Sequence, residues 1–417
     1  MNQNEGTKQV LKNTSFLYLR MIIVMLVSLF TSRIVLRTLG FEDFGIYNVV
    51  GSVVVFLGFL QAALRNATFR YLTYELGKPE DRHLDELYSM AINSHLILSG
   101  ILLLVMEVGG VWFINAKLNI ASDRLFAANV VYQFSLLTFC LSIIRTPLES
   151  NILAHEKMDF YALTSIVEVF LKLLIVYLLV IINFDKLIVY GILTFCIALI
   201  LSIWYLIFCN RKFSDCRYVK YWDKDTLKLF CNYSGWSLLV NGACMTRSQC
   251  INIFFNMFLG VVANAAMGIT NQVIAALNNF VANFTQAFRP QLIKSWANNN
   301  TEFFFRLIHS TSKISYYLLF IISLPIVVNL DYILKLWLGE YPPMTTVFIE
   351  ATLIYYLIDA FQEPLVTSVH ATGILKYHQI MISSMVFLVI PISYIMLKNG
   401  CDGASAFPAN VNFRITA

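Results

Sequence analysis

Residues 187–208 read LIVYGILTFCIALILSIWYLIF, a run without one charged side chain. Wound as an α-helix at about 1.5 Å per residue, a run of that length covers a hydrocarbon layer of roughly 30 Å. A buried strand would need only about four to eight residues. Inside hydrocarbon every backbone N–H and C=O must find its partner within the segment, so helix is the structure such a run requires. Comparable blocks recur on both sides of it, at 15–36, 45–64, 87–113, 125–144, 161–182, 230–259, 261–288, 303–330, 345–361 and 379–397. With 187–208 they predict eleven spanning helices.

Composition agrees. Of 417 residues, 58% are hydrophobic and 13% charged, against about 45–50% and about 25% in soluble domains. The net charge of +5 is spread over short loops, which excludes a nucleic-acid-binding surface of clustered cations. Eight cysteines form no CxxC pair, and six histidines form no HExxH or related ligand spacing; no metal and no cofactor are expected. The first apolar run carries Arg20 and Arg33 and leads into the next span without a small-residue cleavage site, so it reads as a retained helix.

The segment 211–228 holds Arg211, Lys212, Arg217, Lys220, Lys224 and Lys228. It divides the chain into an N-terminal six-helix lobe (1–210), a basic cytoplasmic linker (211–228) and a C-terminal lobe (229–417). Lys and Arg on the loop set that contains the N-terminus number eighteen, against seven on the other set, which predicts a cytoplasmic N-terminus. Laid on itself, the chain places Leu39-Gly40 on Leu259-Gly260, and the match continues through Leu118 on Leu338. Pro147-Leu148 likewise falls on Pro364-Leu365. Two lobes repeated in the same direction are therefore expected, with an axis along the membrane normal. No apolar run after Leu397 mirrors 187–208, so the twelfth span of such a repeat is expected to be missing.

A charge at the centre of a span costs about 2.5–3.5 kcal/mol on insertion scales, so intramembrane ions mark function. Arg20, Lys172, Arg247 and Lys313 lie deep in spans, and Arg65 and Arg289 stand at span ends. The alternative for such cations is snorkelling to headgroups. Glu168 lies four residues before Lys172, on the same helical face, which suits a structural ion pair. Of the other acids near spans, Glu107, Glu350 and Asp359, the last shares a helix with Glu363 and Pro364. Asp359 and Glu168 are the candidates for ion coupling. The seventh and eighth spans carry Asn241, Gln249, Asn252, Asn256, Asn264, Asn271, Gln272, Asn278, Asn279 and Asn283. Amides facing lipid would stay unsatisfied, so these predict a wet cavity or helix-helix hydrogen bonds.

The stretch RIVLRTLGFEDFGIYN at 33–48 resembles the first hairpin of bacterial polysaccharide-biosynthesis transporters, the oligosaccharide flippases of the MATE-like exporter superfamily. In physical terms Gly40 ends one helix and Asp43 can cap the next. LKLWLG at 334–339, with Pro342 after it, resembles the turn after that family's ninth span. The resemblance implies an all-α, two-lobe bundle and transport of a polyprenyl-pyrophosphate-linked oligosaccharide across the bacterial inner membrane, without catalysis. It further implies a cationic central cavity, onto which Arg20, Arg65 and Arg247 map by position, with Lys172 and Lys313 next. Implied partners are the lipid-linked sugar, membrane lipids, a polysaccharide polymerase and glycosyltransferases. The readings that compete are a cation-coupled multidrug exporter of the same fold, a membrane glycosyltransferase or polymerase acting on lipid-linked sugars, and a non-transporting scaffold.

Overall fold

In the computed structural model the described residues are 3–55, 58–79, 83–116, 120–182, 184–259, 261–342 and 344–399. Leu118 and Gly260 of the internal repeat lie outside them, as do Arg82 and Lys117, two of the counted loop cations, Cys401, one of the eight cysteines, and the segment 400–417 that follows the last apolar run. The described chain is helical throughout, in twelve helices: α1 (Gln3–Val55), α2 (Gly58–Gly77), α3 (Leu84–Ala116), α4 (Leu125–Ala154), α5 (Met158–Ile181), α6 (Lys186–Lys212), α7 (Lys224–Leu259), α8 (Val261–Ala297), α9 (Thr301–Val328), α10 (Leu330–Leu338), α11 (Met344–Thr372) and α12 (Lys376–Lys398). Eight helical segments among them have the length and apolar composition to cross a membrane. The chain is a multi-pass membrane protein. Helices α7 and α8, at 36 and 37 residues, have the length as well, but their amides lower their apolar character.

Two helices are merged in α1. Gly40, at φ 83° and ψ 172°, breaks its 53 residues into two rods. That backbone region is open essentially to glycine alone, and it is where the sequence predicts the outer turn. Asp43, expected as a helix cap, gives its carboxylate to Arg124: Oδ1 accepts from Nε at 2.9 Å and Oδ2 pairs with Nη2. The same guanidinium donates to Asp185 Oδ2 at 2.6 Å. Asp185 in turn caps α6 by accepting from the Leu187 and Ile188 amides. One arginine at the start of α4 thus ties down the beginnings of three helices.

The chain divides into two compact units, 11–234 and 1–10 with 235–417. In the first, α2, α3 and α4 pack on one another in a triangle, and α6 covers α4 and carries α5. Gly110 on α3 admits the Tyr132 ring of α4, whose hydroxyl donates to the Met106 carbonyl at 2.6 Å. Val35 and Leu39 of α1 pack against Ile175, Val176 and Leu179 of α5. Between α6 and α7, residues 213–223 run without helix along the start of α3. There the Arg217 amide donates to Asp85, the Val219 amide to the Ser89 hydroxyl, and Asn93 to the Tyr221 carbonyl. The run ends at Asp223, which accepts from the Thr226 amide and hydroxyl at 2.7 and 2.6 Å. Those bonds hold its carboxyl below the usual carboxylate range, led by the hydroxyl.

In the second unit α8, α9 and α11 form the same triangle that α2, α3 and α4 form in the first. Pro147 lies inside α4 and Pro364 inside α11, at matching places. The internal repeat read from the sequence is therefore a repeat of packing. Helix α12 packs through Ile382 and Val386 on Ala243 of α7. The sequence at 334–339 was read as a turn; Leu334 to Leu338 instead complete the short helix α10, and Gly339, at φ 76°, makes the turn. Asp331 in its first turn accepts from the Tyr341 hydroxyl at 2.8 Å and the Thr346 hydroxyl at 3.1 Å, folding the following loop back on α10.

Candidate functional site

Six charges of the first unit, Arg20, Arg65, Arg145, Glu149, Glu168 and Lys172, meet in one network. Glu149, two residues beyond Pro147 on α4, has a side chain only 8% exposed. Its Oε1 accepts from Arg145 Nε at 2.8 Å and its Oε2 pairs with Arg65 Nη2 of α2 at 3.2 Å. The Arg145 guanidinium lies 5.4 Å from the ring centre of Tyr205, whose hydroxyl shares a 2.8 Å hydrogen bond with Thr164. Next in line, Glu168 of α5 accepts from Lys172 Nζ at 2.7 Å and interacts electrostatically with Arg145 and Arg20 as well. Arg20 of α1 sits over the Tyr161 ring at 4.7 Å, a cation–π contact that strengthens where water is excluded. Arg65 also lies within electrostatic reach of His95, and Lys172 of Tyr47. The ions and the rings packed on them come from α1, α2, α4, α5 and α6, with His95 of α3 alongside.

Four cations, Arg20, Arg65, Arg145 and Lys172, face two carboxylates, Glu149 and Glu168. Among the described members of the network, cations therefore outnumber carboxylates by two. Arg65 keeps 44% of its side chain exposed and Lys172 42%, so both have surface free for a further anionic ligand. Tyr47, within reach of Lys172, also lines an open cavity of about 240 Å³ together with Ser135, Thr138, Phe139, Ser142 and Thr194. The lining is mostly apolar, with hydroxyls set into it that can give and accept hydrogen bonds. Arg70 is almost wholly buried between the rings of Tyr71 and Tyr74.

The predicted cations thus separate. Arg20, Arg65 and Lys172 share the network of the first unit; Arg247 is half-buried on α7 and Lys313 exposed on α9, both in the second. Arg289 is half-buried and within electrostatic reach of His370. Asp359 and Glu363 line a cavity of about 200 Å³ between α8 and α11, with Asn278, Thr285 and Tyr356. Glu107 accepts from Gln133 at 2.7 Å, and Glu350 is exposed. Of the α7 and α8 amides, Gln249, Asn271, Gln272 and Asn279 are exposed, while Asn283 is buried and donates to the Asn279 carbonyl.

Sequence reasoning missed Arg145 and Glu149. It ended the fourth span at residue 144 and counted Arg145 as a loop cation, whereas α4 continues through Pro147 to Ala154. The i, i+4 spacing of Arg145 and Glu149 was the available signal.

No protein-family model and no curated protein matches the chain. Solved structures do. A MATE protein crystallised in the bent conformation aligns at a TM-score of 0.85 over 99% of this chain and 93% of that one, with 11% identity. The fold is the MATE fold. It is shared with an outward-facing multidrug resistance MATE family transporter of the MOP superfamily, at a TM-score of 0.76, 13% identity and coverage of 98% and 93%. It is shared too with a MOP superfamily transporter from Pyrococcus furiosus Vc1, at 0.80, 11% and the same coverage. In that last protein the binding pocket has reverse polarity, which suggests a different function for it. The MATE fold accounts for the paired triangles of helices; at such identities it says nothing of cargo.

Proposed function

We propose that the chain is a non-enzymatic transporter that works by alternating access and carries a polyprenyl-pyrophosphate-linked oligosaccharide across the bacterial inner membrane for surface polysaccharide synthesis. The observation that carries this reading is the positive excess of the Arg20, Arg65, Arg145 and Lys172 network over Glu149 and Glu168. A guanidinium stays charged when partly desolvated, and its fork of donors matches phosphate oxygens. A cationic cargo would meet repulsion there, which weighs against a multidrug exporter of lipophilic cations. The related MOP transporter of reverse pocket polarity supports the view that pocket charge, not fold, separates functions. Arg247 and Lys313 are proposed as substrate-binding cations of the second unit in their own right. The exposed amides of α7 and α8 would face the water around the sugar, because in contact with lipid they would go unsatisfied.

In this reading Asp359 serves ion coupling in the cavity it shares with Glu363, and Glu168 holds Lys172 in place. The N-terminus is cytoplasmic, and the polymerase and glycosyltransferases that use the lipid-linked sugar are the natural partners. The test is translocation of a polyprenyl-pyrophosphate oligosaccharide in proteoliposomes by the protein and by its Arg20→Ala, Arg65→Ala, Lys172→Ala and Arg247→Ala variants. Losing one charge-assisted hydrogen bond costs about 1.5–3 kcal/mol, so rates should fall at least about tenfold in the variants that retain their melting temperature. Wild-type rates in all four would reject the site.

A further inference from the structure

Three ligand types that no sequence spacing joins meet where α4 ends. His155 stands just past that end, and Asp215 and Cys216 lie on the non-helical segment after α6. One donor atom from each lies within 4.8 Å of both others. His155 Nε2 and Asp215 Oδ2 are 3.4 Å apart, close to the roughly 3.3–3.6 Å that separates neighbouring ligands on a tetrahedral ion with bonds of about 2.0–2.3 Å.

The imidazole is set up as a ligand would be. Its Nδ1 lies 3.0 Å from the Asn151 carbonyl, the kind of outer bond that orients a ligating imidazole, and its Nε2 is turned to Asp215 Oδ2, its partner here and the second donor of the set. Its ring is stacked on Phe213 at 4.1 Å, which fixes its plane. Cys216 is wholly buried, and the side chain of Asn151, also wholly buried, lies against its thiol. That contact with the Cys216 thiol is the polar partner of the carboxamide among the described residues. The Tyr88 hydroxyl, on a residue 1% exposed, is within electrostatic reach of Cys216 and is without a hydrogen-bond partner among the described residues. Such a group is costly to bury unless something polar or charged completes the site. Asp215, 47% exposed, leaves an entry path and room for a water as fourth ligand.

We propose that His155, Asp215 and Cys216 form a binding site for a zinc-class divalent cation, which fastens the 213–223 segment to the end of α4. One thiolate, one imidazole and one carboxylate are a borderline-soft set that favours zinc or cobalt over magnesium or calcium. Coordination replaces the thiol proton, which leaves to solvent, so loading one ion releases one proton from Cys216. The site is independent of the transport reading, since none of its residues belongs to the cation network.

The experiment loads the full chain, purified with a tag free of histidine, with Zn2+ or Co2+ and measures metal content after desalting. One ion per chain is expected, with a sulfur-to-cobalt charge-transfer band for Co2+ and no retention of Mg2+. Affinity should fall at least about tenfold in His155→Gln, Cys216→Ser and Asp215→Asn, and stay unchanged in Cys231→Ser, an exposed cysteine elsewhere. Asp215→Asn, at the exposed corner, keeps the test decisive if either buried substitution misfolds. No retained ion, or retention that is equal in all the folded variants, would overturn the proposal.

Discussion

At the residue scale Glu149 carries the heaviest duty in the first unit, because each of its carboxylate oxygens holds a different guanidinium while its side chain is 8% exposed. Removing its charge would leave Arg145, 15% exposed, without its main counter-ion; Arg65, at 44%, can turn toward water. Breaking a buried pair from one side costs about 3–5 kcal/mol. Glu168 also attracts Arg145, so the lower end, about 3 kcal/mol, is expected for Glu149→Gln, read as a lowered melting temperature in detergent. Adding Arg145→Gln removes the stranded charge and should restore part of that loss, giving a favourable coupling in a double-mutant cycle. Additive losses would show that the two do not act as a pair. This network was only half legible in the sequence. Arg20 and Lys172 stand out because a charge amid twenty apolar residues is conspicuous. Arg145 and Glu149 sit where hydropathy fades, and only the continuation of α4 past Pro147 brings them inside. His155, Asp215 and Cys216 were not legible at all, since a ligand set assembled across about sixty residues leaves no local pattern.

At the scale of the element, the spans follow from the blocks of apolar residues, and Gly40 follows from its place between two of them. Its φ of 83° demands glycine. Gly40→Ala should therefore lower stability by about 1–3 kcal/mol although open space surrounds the site. Gly45→Ala, in helix and equally open, should be neutral or stabilise by up to about 1 kcal/mol. Gly110→Ala tests a different cause: its Cβ would collide with the Tyr132 hydroxyl and ring, and displacing that buried ring should cost about 1–3 kcal/mol. Thermal melts of the three proteins separate backbone strain from overpacking, since Gly110→Ala paired with Tyr132→Leu, which removes the ring, should lose less than the two single changes summed, and Gly40→Ala has no crowding neighbour whose removal would help. Helix α10 escaped the sequence reading for a related reason. Nine residues are too few for a span, and its Lys335 among apolar neighbours reads equally as a loop.

Across the whole molecule the repeated triangle, α2–α3–α4 and α8–α9–α11, supplies a frame, and the charges placed in each copy differ. The first unit gathers cations around α4, whereas the matching helix of the second, α11, presents Asp359 and Glu363 to a cavity. Equal frames that carry different charges, a cation cluster in one unit and two carboxylates at a cavity in the other, suit the anionic headgroup and the ion coupling proposed above. The consequence concerns selectivity. Detergent-solubilised protein should bind a polyprenyl pyrophosphate more tightly than the corresponding monophosphate, by about 1.5–3 kcal/mol for each additional charge-assisted bond, or roughly tenfold or more. It should show no measurable affinity for lipophilic cations. Arg65→Lys retains charge but loses the forked geometry, so it should narrow the gap between pyrophosphate and monophosphate more than it weakens monophosphate binding. Native mass spectrometry across the two lipids and a lipophilic cation reads all three affinities. Tighter binding of the cation, or equal binding of the two phosphates, would remove the electrostatic basis for a pyrophosphate cargo and return the chain to the drug-exporter reading.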